Sequence, residues 1–424
     1  MFNTGVTLMV QIVWSTLAFL GLLIIYLVQP TPVKSLREPS ADADCRKRLG
    51  LAKTLEAQAP KTGKKYVVLG IGNVGLTIVE ALIMRGEKDV VGFDVAKPRR
   101  SPGKNFKLVQ GDVTKYEEVL AALKGADVVY ATFALIRYHE RLPHEYATSH
   151  AVNVQGTENV LRACVEQNVP LLIQTSTSHV VITAALDNKH GMDESQIYCT
   201  EQTAMNHYAW TKSQAEQLVL AANGKPLKNG KGALLTVALR PCSGIFGAGD
   251  VLIAEGTLKA LHAKGTEMVV AHGSIDWIMC EDLVYAELLC ERKLAENPAA
   301  IGGQAFNVCP GDPIGGWDFN QAIKYYYEKE TGRKTTLTAA PLRMLYTIAT
   351  FVELYHSLSK KKVSGDLGKL TPSMLDCAKL TYSFNGGKAR KLLGYEPIYT
   401  FDEGAHRVVL QWLETNATNG EKSS

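Results

Sequence analysis

The chain has 424 residues, 46% of them hydrophobic and 21% charged, with a formal net charge of +4. That length holds one large domain or two to three ordinary ones, and so small a charge excess leaves no electrostatic footprint for nucleic acid. The eight cysteines form no Cys-x-x-Cys pair and the ten histidines no His-x-x-x-His pair. Neither a disulfide framework nor a metal centre is therefore expected.

The chain opens on a charge-free run from Val6 to Val28. As a helix, that run crosses a hydrocarbon core roughly 30 Å thick. It lacks the basic leader and small-x-small site of a cleavable signal peptide. Lys34, Arg37, Arg46, Lys47 and Arg48 all follow it, so the positive-inside rule puts the body in the cytosol. Residues 1–30 are thus expected to be a single transmembrane anchor. Residues 31–63, rich in Pro, Ala and charge, read as a linker with one short helix. A sequon at Asn416-Ala417-Thr418 opens the polar tail 416–424 and would be idle on the cytosolic side.

The stretch 66–85 organises what comes next. An apolar strand, Tyr66 to Leu69, meets Gly70-Ile71-Gly72-Asn73-Val74-Gly75 and an apolar helix. In a dinucleotide-binding βαβ unit, Gly70 makes the tight turn and Gly72 lets a pyrophosphate approach. Gly75 lets the helix pack closely, and the first helical N–H groups, from Asn73 and Val74 onward, face phosphate. A second strand ends at Asp94, 19 residues past Gly75. A carboxylate there accepts hydrogen bonds from the adenine ribose and repels a 2′-phosphate, so NAD is the expected cofactor. Arg99 and Arg100, just beyond, keep NADP as the alternative.

Strands and helices then alternate as in a parallel α/β sheet. A third strand runs from Phe106 to Val109, and Asp112 after it is placed either to bind the adenine amino group or to cap a helix over 114–123. Asp127 to Thr132 is a fourth strand. The segment 133–150, carrying Arg137, Tyr138, His139, Arg141 and His144, lines the mouth of the site. A helix follows at Asn153–Leu161, then a strand from Val169 that ends in Thr175-Ser176-Thr177-Ser178.

Tyr208 and Lys212 are four residues apart on the next helix and so share a face. A phenol with a reference pKa of about 10 is a poor base near neutrality, and a neighbouring cation stabilises its phenolate. Such a phenol can take the proton of an alcohol while hydride leaves the carbon. A hydroxyl at the preceding strand end can hold the same oxygen.

At these residues the chain resembles the extended short-chain dehydrogenases/reductases, and among them the 3β-hydroxysteroid dehydrogenase family. The resemblance covers residues 65 to about 415. It rests on the glycine turn, Asp94, Asn153-Val154-Gln155-Gly156-Thr157, Tyr208-Ala209-Trp210-Thr211-Lys212, Leu239-Arg240-Pro241, Ile275-Asp276-Trp277 and Leu393-Gly394-Tyr395. It implies a Rossmann-type doubly wound sheet over 64–245 and a smaller α/β substrate-binding subdomain mainly over 246–415. The apolar run 341–358 resembles the family's membrane-associated or substrate-capping segment, against the plainer reading of a core helix. Tyr208 is implied as general base, and Lys212 as its partner and a nicotinamide-ribose ligand. Thr177 is implied as the catalytic hydroxyl, with Ser176 or Ser178 in that role if the register slips. Leu69 stands where the family usually has its first glycine.

The resemblance further implies NAD-dependent oxidation of a 3β-hydroxyl on a sterol or steroid at the endoplasmic reticulum, and a possible homodimer. Oxidation of a 4α-carboxysterol to the 3-ketone with decarboxylation fits best, with Arg137 and Arg141 as candidate carboxylate partners. The nearest rival is a 3β-hydroxysteroid dehydrogenase with Δ5–Δ4 isomerase activity. A nucleotide-sugar epimerase or reductase and a catalytically silent NAD(H)-binding scaffold are more distant.

Overall fold

The computed structural model describes residues 2–33, 35, 37–247, 249–250, 253–270 and 273–421, with side chains from Ser15 to Asn416 apart from Ala184. Lys34, among the flanking cations, and the last three residues of the polar tail lie outside them.

The charge-free run is helical throughout, as α1 (Phe2–Val28). Among the described residues, which leave out the side chains up to Trp14, no helix is long and apolar enough to cross a membrane. The described half of α1 exposes Leu17, Phe19, Leu22, Ile24 and Ile25. The stretch read as a linker is strapped to the body. Within it α2 (Gly50–Gln58) buries Leu51 and Leu55, Arg37 pairs with Asp402, and Arg46 and Arg48 reach Glu330 and Glu403, each at 2.8 Å. Its charges look like those of a solvated linker because their partners are far away in sequence.

The body is built on seven parallel strands: β1 (Lys65–Leu69), β2 (Asp89–Asp94), β3 (Phe106–Gln110), β4 (Val128–Ala131), β5 (Leu171–Thr175), β6 (Ala233–Pro241) and β7 (Ala305–Val308). They lie in the order β7-β6-β5-β4-β1-β2-β3, with Leu69 paired to Phe93 on one side and to Ala131 on the other. The order reverses between β1 and β4, and the carboxyl ends of strands on either side of such a reversal open a crevice for a ligand.

Successive side chains leave a strand on opposite faces, so both faces of this sheet need cover. Tyr66 and Val68 join the cluster under α3 (Asn73–Met84). Val67 and Leu69 join the cluster beneath α4 (Tyr116–Ala122), α5 (Gly156–Gln167) and α6 (His207–Ala221). α7 (Cys280–Glu296) lies on the first face with Leu283 and Val284. The helix expected from Asn153 begins earlier. The chain is already helical at Tyr146 and passes through a π turn at Ala151–Gln155 before α5.

Outside the large sheet are short parallel pairs: Trp277–Met279 with Gly244–Phe246, Thr266–Val269 with Thr336–Ala339, and Lys189–Met192 with Tyr382–Phe384. The apolar run 341–358 forms α8 (Leu342–Ser359). It buries Ala349, Val352 and His356 on one face and exposes Phe351, Leu354, Tyr355 and Leu358 on the other. It starts where α1 ends: the Arg343 guanidinium lies 4.0 Å from the Tyr26 ring centroid, and the Thr31 N–H bonds the Ala340 carbonyl at 3.3 Å. The chain closes on α9 (Phe401–Glu421).

Candidate active site

The glycine turn sits at the carboxyl end of β1, at the switch point. Gly70 has φ +90°, and a Cβ there would stand 2.5 Å from the backbone of Phe133. A Cβ on Gly75 would stand 1.9 Å from the Gly70 carbonyl oxygen and 2.6 Å from Thr132 Oγ1. Only glycine fits either place. Around Gly72, by contrast, an added Cβ meets nothing within 4 Å. That open space faces the first turn of α3, where helical N–H groups have no intrahelical partner. Asn73 Oδ1 is buried there without a hydrogen-bond partner among the described residues. Leu69, in place of the family's first glycine, is fully buried as the last residue of β1 and leaves the turn to Gly70.

Asp94 closes β2 and ties the turn together, accepting from the N–H groups of Ile71 (2.6 Å) and Ala96 (2.9 Å). Arg100, one of the two arginines that kept NADP open, makes a two-pronged bond to Glu80 at 2.6 and 2.7 Å. Asp112 accepts from the Thr114 N–H at 2.9 Å. It shapes a local turn and is not the cap of α4, which begins at Tyr116 after Lys115. The open groove at the first turn of α3 fits a diphosphate, and the acidic strand end fits the ribose hydroxyls of NAD.

The second half of the site lies across the strand ends. Asn206 caps α6, its side chain accepting from the Ala209 N–H at 2.9 Å, and the helix carries Tyr208 and Lys212 inward, both buried. Of the three hydroxyls after β5, Thr177 reaches the phenol of Tyr208. Ser176 turns away to Glu216, and Ser178 lies 3.0 Å from Ser243 Oγ. The chain's own turn thus separates three candidates that sequence spacing left adjacent.

Burial pushes the phenol up to about 12, with the Thr177 hydrogen bond pulling the other way. Burial, and not the neighbouring ammonium, sets the direction of the phenol's shift here. Lys212 Nζ is instead held by the Thr175 carbonyl at 3.0 Å. Desolvation draws the lysine down to about 8, against the opposing pull of Glu216.

Several neighbours take roles at the site that their spacing in the sequence does not reveal. Asn153, within the π turn, exchanges hydrogen bonds with the Leu135 backbone (2.7 and 3.3 Å) and donates to Thr211 Oγ1 at 3.0 Å, so it locks the loop to α6. Glu216 gathers Ser176, Tyr198 at 2.7 Å and Arg240 at 2.6 Å. Glu287, on α7, accepts from Thr175 Oγ1 at 2.5 Å. Cys242, Asp276 and Cys309 are brought together in the core with ligand atoms within 4.8 Å. Arg137 and Arg141 are both engaged, with Glu140 and Glu353 respectively. A cavity of about 240 Å³ beside the start of α6 is lined by Arg141, Tyr146, His207 and Trp210 among others, but by none of Thr177, Tyr208 and Lys212.

A nucleotide groove facing a phenol and a lysine across the ends of a doubly wound sheet is the architecture of the short-chain dehydrogenases, NAD-dependent oxidoreductases. Comparison with known proteins narrows that class. The profile of the 3-beta hydroxysteroid dehydrogenase/isomerase family matches residues 66–339. The chain is 31% identical over 367 residues to the short-chain dehydrogenase/reductase family 42E member 1 of Danio rerio, covering 84% of this chain and 89% of that protein. It is 31% identical over 331 residues to the 3beta-hydroxysteroid-dehydrogenase/decarboxylase isoform 1 of Arabidopsis thaliana, covering 74% and 69%. Among solved structures it is similar in fold to a UDP-galactose 4-epimerase, with TM-score 0.60 and 18% identity over 83% of this chain and 99% of that one. The chain belongs to the 3-beta hydroxysteroid dehydrogenase/isomerase family and is an NAD-dependent oxidoreductase.

Proposed function

We propose that the protein oxidises the 3β-hydroxyl of a 4α-carboxysterol to the 3-ketone, with loss of carbon dioxide, at the membrane of the endoplasmic reticulum. The observation that carries the oxidation is the buried meeting of Thr177 and Tyr208 beside Lys212. NAD, when bound, supplies the hydride acceptor. Thr177 Oγ1 and Tyr208 Oη hold the substrate's hydroxyl between them, and Tyr208, as the phenolate left once its own proton has passed to solvent, takes the hydroxyl's proton at Oη as the C3 hydrogen departs with its electron pair. Lys212, poised near its own titration by burial, favours that phenolate electrostatically. The neighbouring Asn153 clamp keeps the loop and α6 in register during the step.

The product of that oxidation is a β-keto acid. The bond from C4 to the carboxylate carbon breaks as carbon dioxide leaves, the electron pair enters the C3–C4 double bond, and the ketone oxygen takes back the proton that Tyr208 Oη has just received. No further base is required. Support for the decarboxylating reading comes from the similarity to the Arabidopsis dehydrogenase/decarboxylases. Support for a membrane-borne apolar substrate comes from the exposed apolar residues of α1 and of α8, which begins beside it. We read α1 as a single-pass anchor that leaves the body in the cytosol. The test follows NADH and carbon dioxide together in detergent-solubilised protein given NAD and a 4α-carboxysterol. Equimolar release of both supports the proposal. NADH only from a 3β-hydroxysterol lacking the carboxyl would move it to the dehydrogenase/isomerase reading.

A further inference from the structure

We propose that His179 is the residue that receives the substrate's 4α-carboxylate and so selects carboxylated sterols. The assignment rests on the carboxysterol reading above and supplies the partner that reading lacks. The 3-hydroxyl and the 4-carboxyl occupy adjacent carbons, so the carboxylate's partner must stand beside the groups that hold the hydroxyl. Arg137 and Arg141 are ruled out by their pairing with Glu140 and Glu353. Lys212 Nζ is held by the Thr175 carbonyl.

His179 is in the right place. It lies two residues past Thr177, in the 3-10 turn that Thr177 caps, and its backbone N–H donates to Thr177 Oγ1 at 3.2 Å. Its ring centroid is 6.0 Å from that of Tyr208 and 5.0 Å from that of Tyr138. The residue is 6% exposed, and its Nδ1 has no hydrogen-bond partner among the described residues. Buried polar groups are almost always paired, and one that is not is destabilising. An imidazole nitrogen left without a partner beside the phenol is therefore best explained by a group that arrives with the substrate.

The chemistry of the pocket favours a carboxylate as that group. Burial holds the imidazole down to about 4, so it is neutral without substrate. Val180, Val181 and Ile182, which follow it in the chain, are buried and apolar. A carboxylate accepts the imidazole N–H, and its negative charge favours protonation of the ring, which makes the bond charge-assisted. A sterol with only a 3-hydroxyl spends that hydroxyl on Tyr208 and Thr177 and leaves His179 unpaired under an apolar ring. A site built to pair a polar group rejects the analogue that lacks it.

The experiment uses the full-length enzyme in detergent with saturating NAD. Initial rates are compared for a 4α-carboxy-3β-hydroxysterol and the same sterol without the carboxyl, in wild type, His179→Leu and His179→Gln. The ratio of the two kcat/KM values should fall at least about tenfold in His179→Leu, mainly through KM for the carboxysterol. Part of it should return in His179→Gln, which keeps an N–H donor. NADH titration by fluorescence reports that each variant is folded. A folded His179→Leu that keeps the wild-type ratio, whether or not both rates drop, overturns the assignment while the decarboxylating reading stands. A wild-type enzyme that does not turn over the carboxysterol overturns both.

Discussion

Replacing Glu216 by alanine should destabilise the protein far more than a surface change of the same kind. Arg240 and Glu216 are 1% and 0% exposed and meet at 2.6 Å, with a second bond from Arg240 Nε at 2.9 Å. The same carboxylate accepts from Tyr198 OH at 2.7 Å and from Ser176 Oγ. Glu216→Ala strands a guanidinium in the core and removes an acceptor from two hydroxyls, a loss of about 3–5 kcal/mol. For a folded body of roughly 360 residues (65–421), an unfolding entropy of about 2.1 cal/mol/K per residue converts this to a Tm lower by about 4–7 °C. Differential scanning fluorimetry in detergent measures it. Removing both charges, as Glu216→Leu with Arg240→Met, should recover most of the loss, because much of the cost of the single change is the unpaired charge. A single variant within about 1 °C of wild type, or a double variant worse than the single, would refute the idea that this pair holds α6 against β6 behind the site.

Gly72→Ala and Gly75→Ala should part company. The first adds a Cβ that meets nothing within 4 Å and keeps its Tm while NADH binding is lost, whereas the second drives a Cβ to 1.9 Å from the Gly70 oxygen and lowers both. Fluorescence titration of NADH alongside a melt separates them. Asp94→Ala should weaken NADH at least about tenfold, the worth of a hydrogen bond to a charged group, and a smaller change would displace Asp94 from the ribose. Glu287 is raised by burial to about 8 from its ordinary 4.5. Its stabilising effect is complete below about pH 4.5 and is lost as pH rises through 8, with a slope of up to about 1.4 kcal/mol per unit. Glu287→Gln should flatten the fall in Tm between pH 5 and 8, and an unchanged profile would count against a protonated Glu287. In cells, Asn416 should remain unglycosylated while a sequon added ahead of α1 is modified, and the reverse pattern would invert the topology.

The parts of the fold legible in the sequence were those with local causes. Tyr66 to Leu69 alternates between two buried faces, and Gly70 and Gly75 sit where only glycine fits. Asp94 ends a strand beside them, so the Rossmann half and NAD could be read from short stretches. Tyr208 and Lys212 share a helical face by spacing alone. The hydroxyl after β5 could not be resolved that way, because three consecutive side chains differ only in what the fold sets opposite them: Glu216, Tyr208 and Ser243. Pairings across long separations were also hidden, including Arg46 with Glu330, Thr175 with Glu287, and Arg343 at the start of α8 with Tyr26 of α1. The phenol went the other way from the expectation. Its spacing to Lys212 was right, but the ammonium is drawn to the Thr175 carbonyl, so burial sets the phenol's titration.

The central claim is that Tyr208 takes the proton of a 3β-hydroxyl as hydride leaves C3. A 4α-carboxysterol carrying deuterium at C3 tests it most directly. The account predicts that one deuterium per turnover appears on the reduced cofactor, with the 3-ketone as the product skeleton after loss of carbon dioxide. Tyr208→Phe should then transfer none while still binding NADH. Deuterium retained at C3 in the product, or transfer undiminished in Tyr208→Phe, would contradict it.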